Sequence, residues 1–225
     1  PQENVKVKAI NYINDDPDFS RNLRNYRGQP DYVKMIGKIC EYSHRTEFIL
    51  SVVKDIWTKN NKQQIMIIGH RKTQLTYIHD AIKHRGFATV GYYIGGMKEK
   101  DLKITEGKNI VVATYKMAEE ALDIKTLTTI VMSTPKKDVR QAVGRILRKT
   151  GEKLVIDFID QHDIFKRHWD KRRRWYNTQK FTISMTDVEG YKDDNWELVP
   201  ARKKFKKMKV NTEPYSSLLN GKCLL

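Results

Sequence analysis

Between residues 64 and 160, short apolar runs alternate with longer stretches whose apolar residues recur every three or four positions. Gln64-Ile-Met-Ile-Ile68, closed by Gly69, is apolar at nearly every position. That is the pattern of a strand buried on both faces, as in a parallel sheet. Thr89–Ile94, closed by Gly95 and Gly96, then Asn109–Ala113, Thr128–Met132 and Leu154–Ile159 repeat it. Between them, Lys72–Arg85 places Leu75, Ile78, Ala81 and Ile82 at helical spacing. Lys98–Ile104, Lys116–Ala121 and Asp138–Arg148 predict further helices. Upstream, Asp31 is a candidate N-cap for a helix to Glu41, with Val33, Ile36 and Ile39 inward. Thr46 is a candidate cap for a second helix, with Phe48, Ile49, Val52, Val53, Ile56 and Trp57 inward, ending near Asn60 and Asn61. Strands alternating with helices predict an α/β fold, an open and mainly parallel sheet with flanking helices.

The flanks read differently. In residues 1–30, Val5-Lys-Val7-Lys-Ala9-Ile10 alternates as a half-buried strand, followed by turn-rich Asn14–Pro17 and Arg27–Pro30. This segment reads as a linker carrying one strand from a preceding domain, with the main domain over 31–160. Beyond Gln161 the chain becomes a basic extension, 161–225. Ile164–Thr178 is a helix candidate that interleaves Phe165, Trp169, Trp175 and Tyr176 with Lys171-Arg-Arg-Arg174. Phe181–Ser184 is a candidate strand, and Arg202–Lys209 is a cluster of lysines. Basic residues among aromatics suit single-stranded nucleic acid through phosphate contacts and stacking. For Phe165 and Trp169, packing back onto the sheet is the simpler expectation.

Charge narrows the partners. A formal net charge of +16 over 225 residues favours an anionic partner, nucleic acid ahead of a membrane surface. No apolar run is long enough to span a bilayer, and the N-terminus is not a signal peptide. The chain does not begin with Met and reads as a piece of a longer protein. Cys40 and Cys223 are too few and too distant for a disulfide framework or a zinc site, so a reducing, intracellular compartment is the default.

In open parallel sheets, ligands bind at the carboxyl ends of the strands. That rule selects Gly69-His70-Arg71, Gly95-Gly96, Thr114-Tyr115 and Ser133-Thr134. The Asp138–Arg148 helix starts from the same edge. Its spacing puts Gln141, Arg145 and Arg148 on one face and turns Val139, Val143, Ile146 and Leu147 elsewhere. Two guanidiniums and an amide on one stripe suit a polyphosphate, because Arg stays charged and forks onto phosphate oxygens. Gly144 costs such a helix about 1 kcal/mol relative to Ala, which points to something packed close to the backbone there.

Gln141-Ala-Val-Gly-Arg-Ile-Leu-Arg148 resembles the Q-x-x-G-R-x-x-R motif VI of superfamily 2 helicases. Ala113-Thr-Tyr-Lys-Met-Ala-Glu-Glu-Ala-Leu-Asp123-Ile resembles motif V, with Ala121 where that motif usually has Gly. Ile65–Arg71 sits where motif IV belongs, and Tyr93-Ile-Gly-Gly96 resembles the segment before a backbone-contacting loop. The order and spacing resemble the second RecA-like domain over roughly residues 31–160. More narrowly, the chain resembles helicases of large DNA viruses, similar to the poxvirus transcript-release helicase.

The resemblance implies that ATP binds between this domain and an N-terminal RecA-like domain of the same protein. That domain carries the G-x-x-x-x-G-K-[ST] loop and the D-E-x-[DH] box, neither of which occurs in this chain. Mg²⁺ ligands are expected there, and none here. On this side, the resemblance makes Gln141, Arg145 and Arg148 catalytic, with Arg148 the arginine finger. Asp123, Gly144 and Ala121 fall at the nucleotide. His70, Arg71, Gly96, Thr114 and Tyr115 fall along the nucleic-acid backbone. DNA is the expected strand, with RNA possible, and a viral protein of this kind works where its virus replicates. The alternative is a non-catalytic nucleic-acid-binding module on the same fold. A dinucleotide enzyme is disfavoured, because no G-x-G-x-x-G follows a first strand.

Overall fold

Runs of Ile and Val with no room for an amphipathic helix form strands, and here they line up into one sheet. The computed structural model describes residues 5–120, 124–146 and 151–200. In chain order the elements are β1 (Val5–Tyr12), α1 (Pro17–Ser20), α2 (Tyr32–Glu41), α3 (Ser43–Lys59), β2 (Ile65–Gly69), α4 (Lys72–Arg85), β3 (Val90–Tyr93), α5 (Glu99–Glu106) and β4 (Ile110–Thr114). They continue with α6 (Tyr115–Glu120), β5 (Thr129–Met132), α7 (Arg140–Ile146), β6 (Lys153–Asp160), α8 (Asp163–Thr178), β7 (Thr182–Asp187), α9 (Val188–Lys192) and β8 (Glu197–Leu198). The strands form an eight-stranded sheet in the order β3-β4-β2-β5-β6-β1-β7-β8. Its pairs are parallel except β7 with β8.

Strand alternation sends side chains to two cores. Ile65 and Ile67 of β2 join Ile110, Val112, Val131 and Ile156 under α3 and α4. Met66 and Ile68 join Val111, Ala113, Ile130 and Met132 on the other face, with Ala118, Ala142, Val143 and Trp169 from α6, α7 and α8. A third cluster ties Phe19, Met35, Ile36 and Ile39 of α1 and α2 to Ile164 and Phe165 of α8.

The structure corrects the reading of residues 1–30 as a linker. β1 is an interior strand, bonded to β6 on one side and to β7 on the other. Val7, Ala9 and Ile10 are fully buried. The basic extension is likewise continuous with the domain over its described part: α8 packs on the sheet and β7 extends it. Thr46, expected to cap α3, lies inside that helix and accepts a bond from Gln74 Nε2 at 3.2 Å. Tyr42 stands at the cap position, so α3 begins at Ser43. Asp31 does cap α2, accepting from the Lys34 N–H at 3.1 Å.

Two acids sit inside the strand Lys153–Asp160, where an unpaired carboxylate would be costly. Each is met by a guanidinium. Asp160 takes Arg45 Nε at 2.5 Å and Nη2 at 2.9 Å, with both side chains fully buried. Asp157 takes Arg172 Nε and Nη2, each at 2.8 Å, and Tyr176 Oη at 3.0 Å. Removing one member of such a pair typically costs about 3–5 kcal/mol, because the other is left buried and charged.

Candidate functional site

β2, β4 and β5 end side by side, and their exits carry the residues selected by the strand-end rule. Gly69 closes β2 where a side chain would not fit: a Cβ there would lie 2.5 Å from Ser133 Oγ and 3.1 Å from Leu75 Cδ2. That close approach lets the chain leaving β5 run beside the end of β2.

The segment Ser133–Lys136, which leads from β5 to α7, is gripped along its backbone by side chains from separate helices. Arg45 of α3 donates from Nη1 to Ser133 O at 2.7 Å. Tyr115 of α6 donates its hydroxyl to Thr134 O at 2.6 Å. Tyr32 of α2 donates to Pro135 O at 3.1 Å. Arg172 of α8 donates from Nη1 to Lys136 O at 2.7 Å. Consecutive carbonyls are thus each held from a different direction. The Lys136 ammonium pairs with Glu119 and lies 5.0 Å from the Tyr115 ring centroid.

His70 belongs to this grip. Its backbone N–H and its Nδ1 both meet Thr134 Oγ1, at 3.1 and 2.7 Å, and its Nε2 meets Tyr32 Oη at 3.2 Å. Because the Tyr32 hydroxyl proton goes to Pro135 O, the network assigns the imidazole proton to Nε2, with Thr134 donating to Nδ1. Burial first, then the charges of Lys136 and Arg71, push the His70 pKa down to about 4, so the ring is neutral near pH 7. Both ring nitrogens are committed inside the protein. Tyr115, also placed by the sequence reading on the nucleic-acid face, is 4% exposed with its hydroxyl on Thr134 O, and burial raises its pKa well above 10. The structure therefore puts Tyr115 in the core, because the first residue of α6 turns inward under β5.

The remaining rim residues face outward. Arg71 is exposed, with Nη2 3.2 Å from Val33 O. Gly96 is exposed at φ +92°, a left-handed turn that a side chain would strain, and Gly95 O accepts Lys72 Nζ at 3.5 Å. Thr114 ends β4 and takes the Met117 N–H on its Oγ1 at 3.4 Å.

Helix α7 follows the gripped segment. Asp138 accepts the Arg140 N–H at 3.1 Å and its guanidinium Nε at 2.9 and 3.0 Å, so the helix starts at Arg140 rather than at Asp138. Val139, Ala142 and Val143 are buried and Gln141 is exposed, as the spacing predicts. Gly144 departs from expectation: among the described residues, a Cβ there would meet nothing within 4 Å. Among the described residues, then, close packing does not explain the glycine. Arg145 lies within α7, but its side chain lies outside the described residues, as do Arg148, Ala121 and Asp123. Among the described residues, no group of three or more His, Cys, Asp or Glu could hold a metal ion, and no helix is long and apolar enough to cross a membrane. A cavity of about 780 Å³, bordered by Lys6, Lys8 and Trp196, opens elsewhere and touches none of these residues.

Sequence reasoning missed Tyr32, Arg45, Asp157, Asp160 and Arg172. A usable signal was present. Asp157 and Asp160 interrupt an apolar strand and so demand buried cations. Arg172 shares the apolar stripe of α8 with Phe165, Trp169 and Tyr176.

No protein-family model matches the chain. A protein of Acanthamoeba polyphaga mimivirus named "Putative ATP-dependent RNA helicase" is 31% identical over 218 residues, which is 93% of this chain and 42% of the relative. An African swine fever virus protein of the same description is 22% identical over 206 residues, 74% of this chain and 40% of the relative. The chain thus spans about two-fifths of the length of the curated relatives it matches. Among solved structures, T4 UvsW superposes with a TM-score of 0.61 at 22% identity, covering 82% of this chain and 41% of UvsW. The C-terminal domain of the DEAD-box protein Dbp5 superposes with a TM-score of 0.52 at 13% identity, covering 65% of this chain and 87% of that domain. Across most of its length the chain resembles viral proteins described as helicases, and its fold is the RecA-like fold shared by T4 UvsW and the C-terminal domain of Dbp5.

Proposed function

We propose that the chain is the C-terminal motor half of an ATP-dependent nucleic-acid helicase or translocase. The observation that carries this reading is α7: it leaves the carboxyl edge of the sheet from a segment held at each carbonyl, with Gln141 outward and, among the described residues, open space beside Gly144. In this reading Gln141, Arg145 and Arg148 face the polyphosphate, and Arg148 is the finger that meets charge growing on the γ-phosphate. Asp123 and Ala121 border the nucleotide. ATP supplies phosphoryl-transfer free energy, and its Mg²⁺ is held by an N-terminal RecA-like domain of the same protein.

Residues 31–160 form the core of this half, which β1 and α8 complete. Arg71, Gly96 and Thr114 contact the strand backbone, and His70 acts from behind through Thr134 and Tyr32. Amides and hydroxyls aimed at phosphates do not read sequence, so binding is sequence-independent and weakened by salt. They also do not separate DNA from RNA. Our expectation of DNA stands beside relatives whose names say RNA, and matched strands decide between them.

The test is ATP hydrolysis by the full-length protein with DNA and RNA strands of one sequence. Strand-stimulated hydrolysis is expected, together with a loss of at least about 100-fold in Arg148→Ala and no turnover by residues 1–225 alone. Normal turnover in Arg148→Ala would refute the finger role. A full-length protein that binds strands but hydrolyses no ATP is a binding module instead.

A further inference from the structure

A second basic surface lies where the segment entering α7 meets the second half of α8. A cavity of about 600 Å³ there is lined by Lys137, Arg140, Lys171, Arg174, Trp175 and Thr178, among others. Its cations are poorly matched by acids. Asp138 is spent on Arg140, and Asp170 lies 3.7 Å from Arg173, outside the cavity lining. Lys137, Lys171 and Arg174 have no carboxylate partner among the described residues. Lys137 and Lys171 line the cavity together, and the neighbouring Lys137 ammonium lowers the Lys171 pKa. Like charges gathered in one cavity repel, and an anion between them relieves that repulsion.

The arrangement is fixed by the fold. Arg172, the residue after Lys171, is fully committed inward to Asp157 and to Lys136 O, next to Lys137. That tie sets the outward face of α8 against the start of α7. Trp175 lies half-buried at the same place, its ring 5.7 Å from that of Phe181. Cations around an aromatic edge, in an open groove between the start of α7 and the second half of α8, match a phosphodiester backbone with its bases.

We propose that the α7–α8 cleft is a binding site for the phosphate backbone of a single nucleic-acid strand, with Lys137 and Lys171 bridging one or two phosphates. It rests on the helicase reading and extends it, because it places the strand past Thr114 and Arg71 towards α8.

The test is binding of a labelled twelve-nucleotide strand, as DNA and as RNA, to the full-length protein over a range of salt. Lys137→Ala/Lys171→Ala is expected to weaken binding at least about tenfold and to flatten the dependence of log affinity on log salt by roughly 0.7 for one lost phosphate contact or roughly 1.4 for two. Lys59→Ala/Lys62→Ala removes the same charge beside the large cavity that touches none of the site residues and is expected to stay within about twofold. Equal losses in both variants, or none in the first, would overturn the cleft. ATP and inorganic phosphate form the other arm. If the first variant raised the KM for ATP tenfold and bound the strand normally, the anion would be a free nucleotide and the proposal would fail. An unaltered protein that bound no strand would sink the helicase reading as well. One that bound and was stimulated, with Lys137→Ala/Lys171→Ala unchanged, would sink the cleft alone.

Discussion

At the scale of single residues, the decisive side chains are polar groups taken out of water. His70 and His168 both titrate near 4 rather than 6.5, burial being the first cause in each, and His162 is lowered as well. Among the described residues, the buried Nδ1 atoms of His162 and His168 meet no hydrogen-bond partner. A proton therefore binds these rings more readily in the unfolded chain than in the folded one. Between about pH 6.5 and 4 unfolding takes up protons, so stability is full above that window and falls as pH drops through it. His168→Phe keeps a ring beside Tyr32, at 5.2 Å, and removes one titrating group. The fall in thermal midpoint between pH 7 and 5 is expected to shrink by roughly a third in that variant. A pH profile parallel to that of the unaltered protein would show that His168 is not one of the groups responsible.

At the scale of elements, the connection from β5 to α7 matters more than either element alone. A helix of this length has little intrinsic stability and takes its position from what holds its start. Here that hold is the set of donors on the carbonyls of Ser133, Thr134, Pro135 and Lys136. Tyr32→Phe and Tyr115→Phe each delete one hydroxyl without changing packed volume, at a cost of about 1–2 kcal/mol in stability. On the proposed helicase reading these hydroxyls hold the start of α7 and are not among the groups facing ATP, so strand-stimulated kcat in the full-length protein is expected to fall severalfold while the KM for ATP stays within about twofold. A lowered thermal midpoint with unchanged kcat would mean that these tyrosines only stabilise the fold.

At the scale of the whole molecule, the chain is one sheet from β3 to β8, and the apparent flanks are structural. β1 fills the place between β6 and β7, so its removal would strip the ladder partners from both. It would also uncover apolar positions on both faces, since Val7, Ala9 and Ile10 are fully buried. Deleting residues 1–12 is expected to abolish cooperative unfolding and soluble folding. Circular dichroism with a denaturant titration checks this, and a variant that unfolds in one sharp transition near the parent midpoint would show that β1 is dispensable.

What the sequence determined by itself was periodicity and local chemistry. Runs such as Ile65–Ile68 and the spacing of Leu75, Ile78 and Ile82 specify strand and helix through contacts only a few residues apart. The motif around Gln141 can be read for the same reason, since its outward and inward faces follow from helical repeat alone. The tertiary structure decided everything that depends on distant partners. Alternation in Val5–Ile10 marks a strand but carries no information about its neighbours, so a central strand looked like a linker. His70 and Tyr115 stand at strand ends in sequence, yet Thr134, Tyr32 and Pro135 complete the networks that turn them inward. Arg45 with Asp160, and Arg172 with Asp157, are 115 and 15 residues apart. Only burial, which makes an unpaired charge intolerable, brings each pair together, and only the folded sheet says which cation answers which acid.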